Sequence, residues 1–413
     1  TPLCILSQTT QETSQFRHFV SEIKKFFPRV EVQNTICNAT EERQNELKKL
    51  VEEVDMLIIL GGKHSGNTRR LYEIGSERLS QTIWVEAPSE LDKYKDSIRK
   101  AKKIGVSAGA STPQWIIDAV QEKVGKIIIH EKNFLLGSLY DFLRCIIRLS
   151  LLVGLAAGFS GLFWSSFFNS PYPLRLFFMT VLYVFSMYFG HRLKEIEYKD
   201  PSRFKMYRQH EGLFWSLLFF LLIVGTLTGF LVSPLSGIVY GVLALVGMLY
   251  IFPQQSFFLK RLHVIPGSKD FAVALAWAFL AVVFPAKSGV PETFLLVVPI
   301  AFAFMATAVF FRMLLLDLLD FQSDRIMGRD TLITMVSQKK YRKLLHLIWF
   351  VNLVCLVFLV PLIREWTLLL LLLNAGLLGT RILVDVRPTI NRYLFETLLD
   401  GLFVVPALIG LLL

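Results

Sequence analysis

Cysteine is scarce: four residues, Cys4, Cys37, Cys145 and Cys355, are scattered through 413 positions. No CxxC pair occurs, which excludes a disulfide framework and a self-contained zinc site and leaves a reducing compartment as the default. Charge is scarce too, at 19% of residues, while 53% are hydrophobic and the mean hydropathy is +0.50. A soluble globular chain carries roughly 25% charge, so much of this one belongs in lipid. The 44 Lys and Arg against 33 Asp and Glu leave a net +11. That excess suits cytoplasmic loops or anionic substrates, and no nucleic-acid partner is expected. The chain opens on Thr1 with neither an initiator Met nor a charged and then apolar leader, so no signal peptide is expected and a fragment is one reading of the sequence.

Long hydrophobic runs are absent before about residue 145 and follow one another after it. The expectation is an α/β soluble domain over 1–135 and an all-α polytopic membrane domain over 136–413. In the front part, apolar runs at 3–7, 30–36, 56–60, 82–86 and 104–107 alternate with helix-patterned stretches such as 41–53, 67–79 and 114–124. That alternation predicts a mainly parallel sheet. In the back part, nine segments suit a hydrocarbon core, near 146–168, 174–190, 213–232, 235–252, 271–286, 294–316, 344–363, 367–384 and 397–413. Basic residues gather in the connections after spans two, four, six and eight, among them Arg192, Lys194 and Lys199, then Arg325 and Arg329. By the positive-inside rule the front domain faces the cytoplasm and Leu413 lies outside.

Three turns rich in glycine or hydroxyls follow expected strands: Ser7-Gln8-Thr9-Thr10, Gly61 to Asn67, and Gly105 to Pro113. Small residues there let backbone N–H groups and hydroxyls approach an anion at a helix N-terminus, with Ser65, Asn67 and Ser111 as donors. Any one such turn is more often a plain strand-to-helix connection. Three ending at one sheet edge favour a ligand. Cys37, at a strand end, reads from pattern alone as a small buried residue.

SQTT, TICNAT, GGKHSGNTRRLYEI and GVSAGASTP, in that order, resemble the C-terminal half of the LytB/IspH family, 4-hydroxy-3-methylbut-2-enyl diphosphate reductases, over about 3–125. The resemblance implies an oxygen-sensitive 4Fe-4S enzyme of the non-mevalonate pathway, which reductively removes a hydroxyl to give isopentenyl and dimethylallyl diphosphate. It implies an electron donor such as ferredoxin or flavodoxin and a bacterial setting. By motif position Cys37 is one of three cluster ligands, Thr9 the active-site threonine, and Ser65, Asn67 and Ser111 diphosphate-binding residues. The other two cluster cysteines fall upstream of Thr1, so the cluster needs ligands absent from this chain.

In the back part, Asp317, Asp320 and Asp324 recur at offsets of three and four, which sets three carboxylates on one helical face at the cytoplasmic end of span six. Such acids repel one another unless a cation sits among them, and Mg2+ binds through carboxylates plus substrate phosphates. With the segment Arg261 to Asp270, the pattern resembles the UbiA superfamily of intramembrane prenyltransferases over about 145–413. That resemblance implies an isoprenyl diphosphate donor, Mg2+, an aromatic or other acceptor, and Lys269 beside the leaving group. The family's first acidic motif is degraded here to His191 through Asp200, with Glu195 in place of its central aspartate.

The reading that follows is an isoprenoid-pathway fusion of a reductase-like domain and a Mg-dependent prenyltransferase, multi-pass in a bacterial inner membrane among its lipids. Two alternatives stand beside it. One makes the front domain a non-catalytic diphosphate-binding or docking module; the other makes the whole a transporter or scaffold.

Overall fold

In a computed structural model of the chain, the described residues are 3–7, 13–33, 35, 38–109, 112–132, 151–199, 209–251, 265–289, 297–326, 331–363, 366–386 and 392–410. The chain divides into two compact units, Thr1–Tyr140 and Asp141–Leu413.

The first unit runs β1 (Cys4–Leu6), α1 (Thr13–Phe26), β2 (Glu31–Gln33), α2 (Asn38–Glu53), β3 (Met56–Leu60), α3 (Gly66–Arg78) and β4 (Thr82–Val85). A 3-10 turn at Pro88–Tyr94 leads into α4 (Lys95–Lys100), β5 (Ile104–Ala108) and α5 (Gln114–Lys132). Among the described residues every strand pairing is parallel, as the alternating pattern predicts. The strands divide into two sheets, β1–β2 and β4–β3–β5. Strand β3 explains its own unbroken apolar run, Met-Leu-Ile-Ile-Leu, because both faces are covered. Met56, Ile58 and Leu60 pack with Val120, Val124 and Leu91, while Leu57 and Ile59 pack with Leu47, Val51, Leu71 and Ile74 from α2 and α3. The split sheet corrects one expectation. Because β3 takes β4 and β5 on its two sides, the turns after β3 and β5 are neighbours, whereas β1 pairs with β2 in the other sheet and Gln8 to Thr10 lie outside the described residues.

The second unit is helical: α6 (Leu151–Phe167), α7 (Pro173–Lys199), α8 (Glu211–Val232), α9 (Pro234–Ile251) and α10 (Ser268–Ala278). Helix α10 continues through a π-helical turn, Phe279–Val283, into Phe284–Gly289. There follow α11 (Val297–Ile326), a short α12 (Leu332–Met335), α13 (Gln338–Ile363), α14 (Thr367–Val386) and α15 (Arg392–Gly410). Among the described residues seven helices are long and apolar enough to cross a membrane. The described part of α6 has 17 residues, and α15 carries Glu396 and Asp400 within its apolar pattern. The unit is a multi-pass membrane bundle. Outward side chains such as Phe220, Ile223 and Leu231 are exposed, as lipid-facing positions are.

Small residues set the closest packing. A Cβ on Gly154 or Gly158 of α6 would run into Phe185, or into Phe177 and Val181, of α7, so the two helices approach as only small residues allow. Residues 192–199, expected as a polar loop, are instead the last two turns of α7. Nothing breaks that helix before Pro201, whose ring disfavours helical geometry in the residue preceding it. Helix α11 lies deepest: Phe304, Ala308, Phe311, Leu314 and Leu315 are buried, and α10 and α13 pack against it.

Candidate functional site

Two places gather the chemistry-bearing residues, one in each unit. In the first, the chain leaves β3 through Gly61, whose φ of +144° is open to glycine. The loop is braced by Trp84 Nε1 donating to Gly61 O at 2.8 Å and by Ser65 N donating to Gly62 O at 2.9 Å. Ser65 then caps α3, its side chain accepting from Thr68 N at 3.3 Å. From the other side, Gly109 N and Thr112 Oγ1 both donate to Leu60 O, at 2.9 and 3.2 Å, which draws the β5 turn against the β3 turn. A Cβ on Gly61 would lie 2.7 Å from Thr68 Oγ1 and 2.9 Å from Thr112 Oγ1. A Cβ on Gly109 would also strike Thr68 Oγ1.

At the same helix start Asn67 is 6% exposed, and neither of its amide atoms has a hydrogen-bond partner among the described residues. Thr68 Oγ1 is buried and equally unsatisfied. Buried polar groups ordinarily find partners, so donors left over at a helix N-terminus suit an anion. Lys63 is engaged elsewhere: its amide donates to Glu86 Oε1 at 2.5 Å and its Nζ lies 3.4 Å from Glu90 Oε2. Burial pushes the Glu90 carboxyl up, but the Glu86 amide and the Lys63 charge outweigh it and hold it below its ordinary value.

In the second unit a cavity of about 430 Å³ opens among α7, α9, α10, α11 and α15. Its walls are largely apolar, with Val246, Ile251, Val273 and Phe302 among them. Set into these walls are Lys269 and Asp270 from the first turn of α10, Asp317 and Asp320 from α11, Glu396 from α15 and His191 from α7. Asp270, Asp320, Asp324 and Glu396 are buried. Asp317 stands within electrostatic reach of Asp270, Lys269, Asp320 and Asp324.

Behind the wall lies an ion pair. Arg312 Nη2 and Nε reach Asp400 Oδ1 at 2.5 and 2.7 Å, with the two side chains 2% and 4% exposed. Arg312 Nη1 donates to Tyr188 Oη at 3.1 Å, and its guanidinium carbon lies 5.8 Å from the ring centres of both Tyr188 and Trp277. Tyr188 and Trp277 line the cavity; Arg312 and Asp400 do not.

Of the residues expected at a site, Ser65 and Asn67 meet at the α3 N-terminus, and Lys269, Asp317 and Asp320 meet at the cavity, with Asp324 one turn further along α11. Thr9, Cys37 and Ser111 lie outside the described residues, and so does the side chain of Glu195, whose backbone is in α7. Sequence reasoning passed over Thr68, Thr112, Asp270, Glu396, Tyr188 and Arg312. For Arg312, Glu396 and Asp400 a signal existed, since a charge inside an apolar span is costly enough to demand a reason.

Among the described residues no three His, Cys, Asp or Glu side chains stand close enough to cage a metal ion by themselves. Magnesium does not ask for that: it takes one or two carboxylates and completes its shell with phosphate oxygens and water, so the hard oxygen donors on α11 fit it. A 4Fe-4S cluster is another matter. Cys4 is an exposed residue of β1 and Cys355 a half-buried one of α13, and the described residues gather no set of thiolates that could hold a cluster.

Comparison with known proteins agrees with the front of the chain. Residues 1–125 match the family model described as LytB protein. The front region is LytB-like. It is 49% identical over 123 residues to a 4-hydroxy-3-methylbut-2-enyl diphosphate reductase of Aquifex aeolicus, covering 30% of this chain and 42% of that protein. A reductase of the same description from Clostridium acetobutylicum is 43% identical over 126 residues, 30% of this chain and 19% of the relative. The chain thus spans less than half the length of these relatives. A solved (E)-4-hydroxy-3-methyl-but-2-enyl diphosphate reductase covers 30% of this chain and 43% of its own at 48% identity and a TM-score of 0.25. A solved UbiA homologue from Archaeoglobus fulgidus, bound to GPP and Mg2+, covers 65% of this chain and 98% of its own, at 15% identity and a TM-score of 0.48.

Proposed function

We propose that the membrane unit transfers an isoprenyl group from its diphosphate to an acceptor, with magnesium, and that the LytB-like unit binds a diphosphate. The observation that carries the first reading is the cavity. Apolar walls that exclude water meet buried carboxylates and a lysine at one place, which is what an apolar chain joined to a highly charged leaving group requires. Asp317, Asp320 and Asp324 hold the cation side of that group, with Glu195 of α7 contributing a further carboxylate. A magnesium ion held there supplies charge neutralisation that makes the diphosphate a leaving group. Lys269, in the first turn of α10, takes up charge on the departing oxygens. The apolar wall keeps water from the allylic carbon until the acceptor reaches it.

For the first unit, the names of its relatives point to reductive dehydroxylation of a diphosphate ester. The cradle of Gly61, Gly109, Thr68 and Thr112, with buried Asn67 at the same helix start, supports the diphosphate part of that reading, with Ser65 fixing the helix start and Ser111 expected beside Thr112. The redox part needs more thiolates than Cys37 alone supplies. The same cradle supports the plainer alternative, in which the unit captures or docks a diphosphate without transforming it.

The test of the membrane reading is prenyl transfer, or diphosphate release, by the full chain in liposomes with a panel of prenyl diphosphates. Asp320→Asn and Asp324→Asn keep shape but remove charge, and turnover should fall by about 100-fold or more while the protein still inserts. Wild-type turnover in both variants sinks the mechanism.

A further inference from the structure

The start of α13 carries a charge pattern that prenyl transfer does not use. Lys339, Lys340, Arg342 and Lys343 fall within one short stretch, and the sequence holds no Asp or Glu between Asp330 and Glu365. Other basic stretches are mixed: Arg192, Lys194 and Lys199 are interleaved with Glu195 and Glu197, and Arg325 and Arg329 lie between Asp324 and Asp330. All four residues at the start of α13 are exposed. The side chains of Lys339, Lys340 and Lys343 have no hydrogen-bond or ion-pair partner among the described residues.

One acid from α14 reaches this group, and it is shared. Asp385 Oδ2 lies 2.5 Å from Nη1 of Arg381, a buried arginine, while its Oδ1 lies 3.4 Å from Arg342 Nη2. A single carboxylate already taken by a buried guanidinium leaves the cluster its excess of positive charge. Ser337 caps the helix, its Oγ accepting from Lys340 N at 3.4 Å, so the charge on offer is that of the lysine side chains.

The surface below the lysines decides the partner. Tyr341, Leu345, Ile348 and Asn352 turn into the bundle, where Tyr341 Oη donates to Leu314 O at 2.8 Å and Asn352 Nδ2 to Phe304 O at 2.7 Å. On the other face, at helical spacing from Lys343, Leu347, Phe350, Val354 and Phe358 are exposed. A free anion has no use for such a stripe. A phospholipid needs both parts in this order, cationic side chains at its headgroup and apolar surface along its acyl chains.

We propose that this face of α13 binds an anionic phospholipid, with its phosphate headgroup at Lys339, Lys340 and Lys343 and its acyl chains along Leu347, Phe350, Val354 and Phe358. The binding is independent of prenyl transfer.

The full chain in neutral detergent is mixed with phosphatidylglycerol and phosphatidylcholine of the same acyl chains, and retained lipid is counted by native mass spectrometry. The wild type should retain phosphatidylglycerol about 10-fold or more over phosphatidylcholine, since each lysine near an anionic headgroup is worth about 5-fold. The triple variant Lys339→Gln, Lys340→Gln and Lys343→Gln should lose most of that preference, and arginine at the same three positions should keep it. Lys343→Gln alone should weaken it by about 5-fold, which keeps the test open if thermal unfolding shows the triple variant to be damaged. A matched triple in the first unit, Lys24→Gln, Lys100→Gln and Lys102→Gln, removes the same net charge and should change nothing. An unchanged preference in the α13 variants overturns the site, and so does an equal loss in the matched triple, which would assign the effect to net charge. Displacement of the lipid by millimolar inorganic phosphate, but not by chloride of equal ionic strength, overturns the lipid in favour of a free anion.

Discussion

Asp400→Leu should destabilise the membrane unit by about 3–5 kcal/mol, because it strands a guanidinium in a place without water. Arg312 Nη2 and Nε both reach Asp400 Oδ1, at 2.5 and 2.7 Å, and the partners are 2% and 4% exposed, so solvent cannot replace either one. Arg312→Leu should also destabilise the unit, because it removes the guanidinium that Asp400 Oδ1 accepts from, and it takes away the donor that orients Tyr188. The double variant Arg312→Met with Asp400→Leu should be far less damaged than the sum of the singles. Replacing a whole buried pair with apolar side chains of similar volume is often neutral or stabilising by about 1–4 kcal/mol. The two sites therefore carry a coupling energy of several kcal/mol, above the usual 0.5–3 or so for residues in contact. Detergent-solubilised protein titrated with a denaturing detergent and followed by tryptophan fluorescence gives the four midpoints of the cycle. Additive effects would refute the reasoning, since they would mean each charge finds another partner once its mate is gone.

Two further outcomes concern the first unit. Asn67→Leu should raise its stability by about 1–3 kcal/mol in ligand-free protein while abolishing protection by inorganic pyrophosphate, because it removes a buried amide whose partners the chain does not supply; a loss of stability would show that the amide is structurally engaged. Asp92, bonded by Lys123 and then Lys95, has its carboxyl held below the ordinary value of 3.8, so its contribution is present above that value and lost as pH falls through the lower folded one. Once the slowing of intrinsic exchange at low pH is divided out, the protection factors at residues 88–95 should therefore fall on acidification in the wild type, and Asp92→Asn should flatten that dependence.

Much of this was legible before any coordinates. Strand β3 runs from Met56 to Leu60 as its apolar run predicts, because a five-residue stretch without a polar residue can only be a strand covered on both faces or part of a longer buried helix. The helix expected over 67–79 is found at Gly66–Arg78, but Ser65, expected as a donor to an anion, also serves as its cap, with its side-chain oxygen accepting from Thr68 N. What escaped was pairing order. Which turns share an edge depends on which strands are neighbours, and nothing local in Ser7 to Thr10 says that β1 takes β2 instead of joining β3. The end of α7 escaped for a different reason: charge density reads as loop, but a run without a breaker stays helical when one end is anchored in a bundle.

The cavity shows the limit most sharply. Asp317 and Asp320 could be singled out because three acids at helical spacing end an apolar span, a local pattern. Arg312 and Asp400 are 88 residues apart, and each alone is simply an intramembrane charge, a candidate functional group by its cost. Brought together they cancel, and they leave the list of groups a ligand can use. Asp270 and Glu396 move the other way, from isolated acids near helix ends to neighbours on one wall. A charge inside a membrane span becomes available to a substrate only after helix packing has decided which charges neutralise one another.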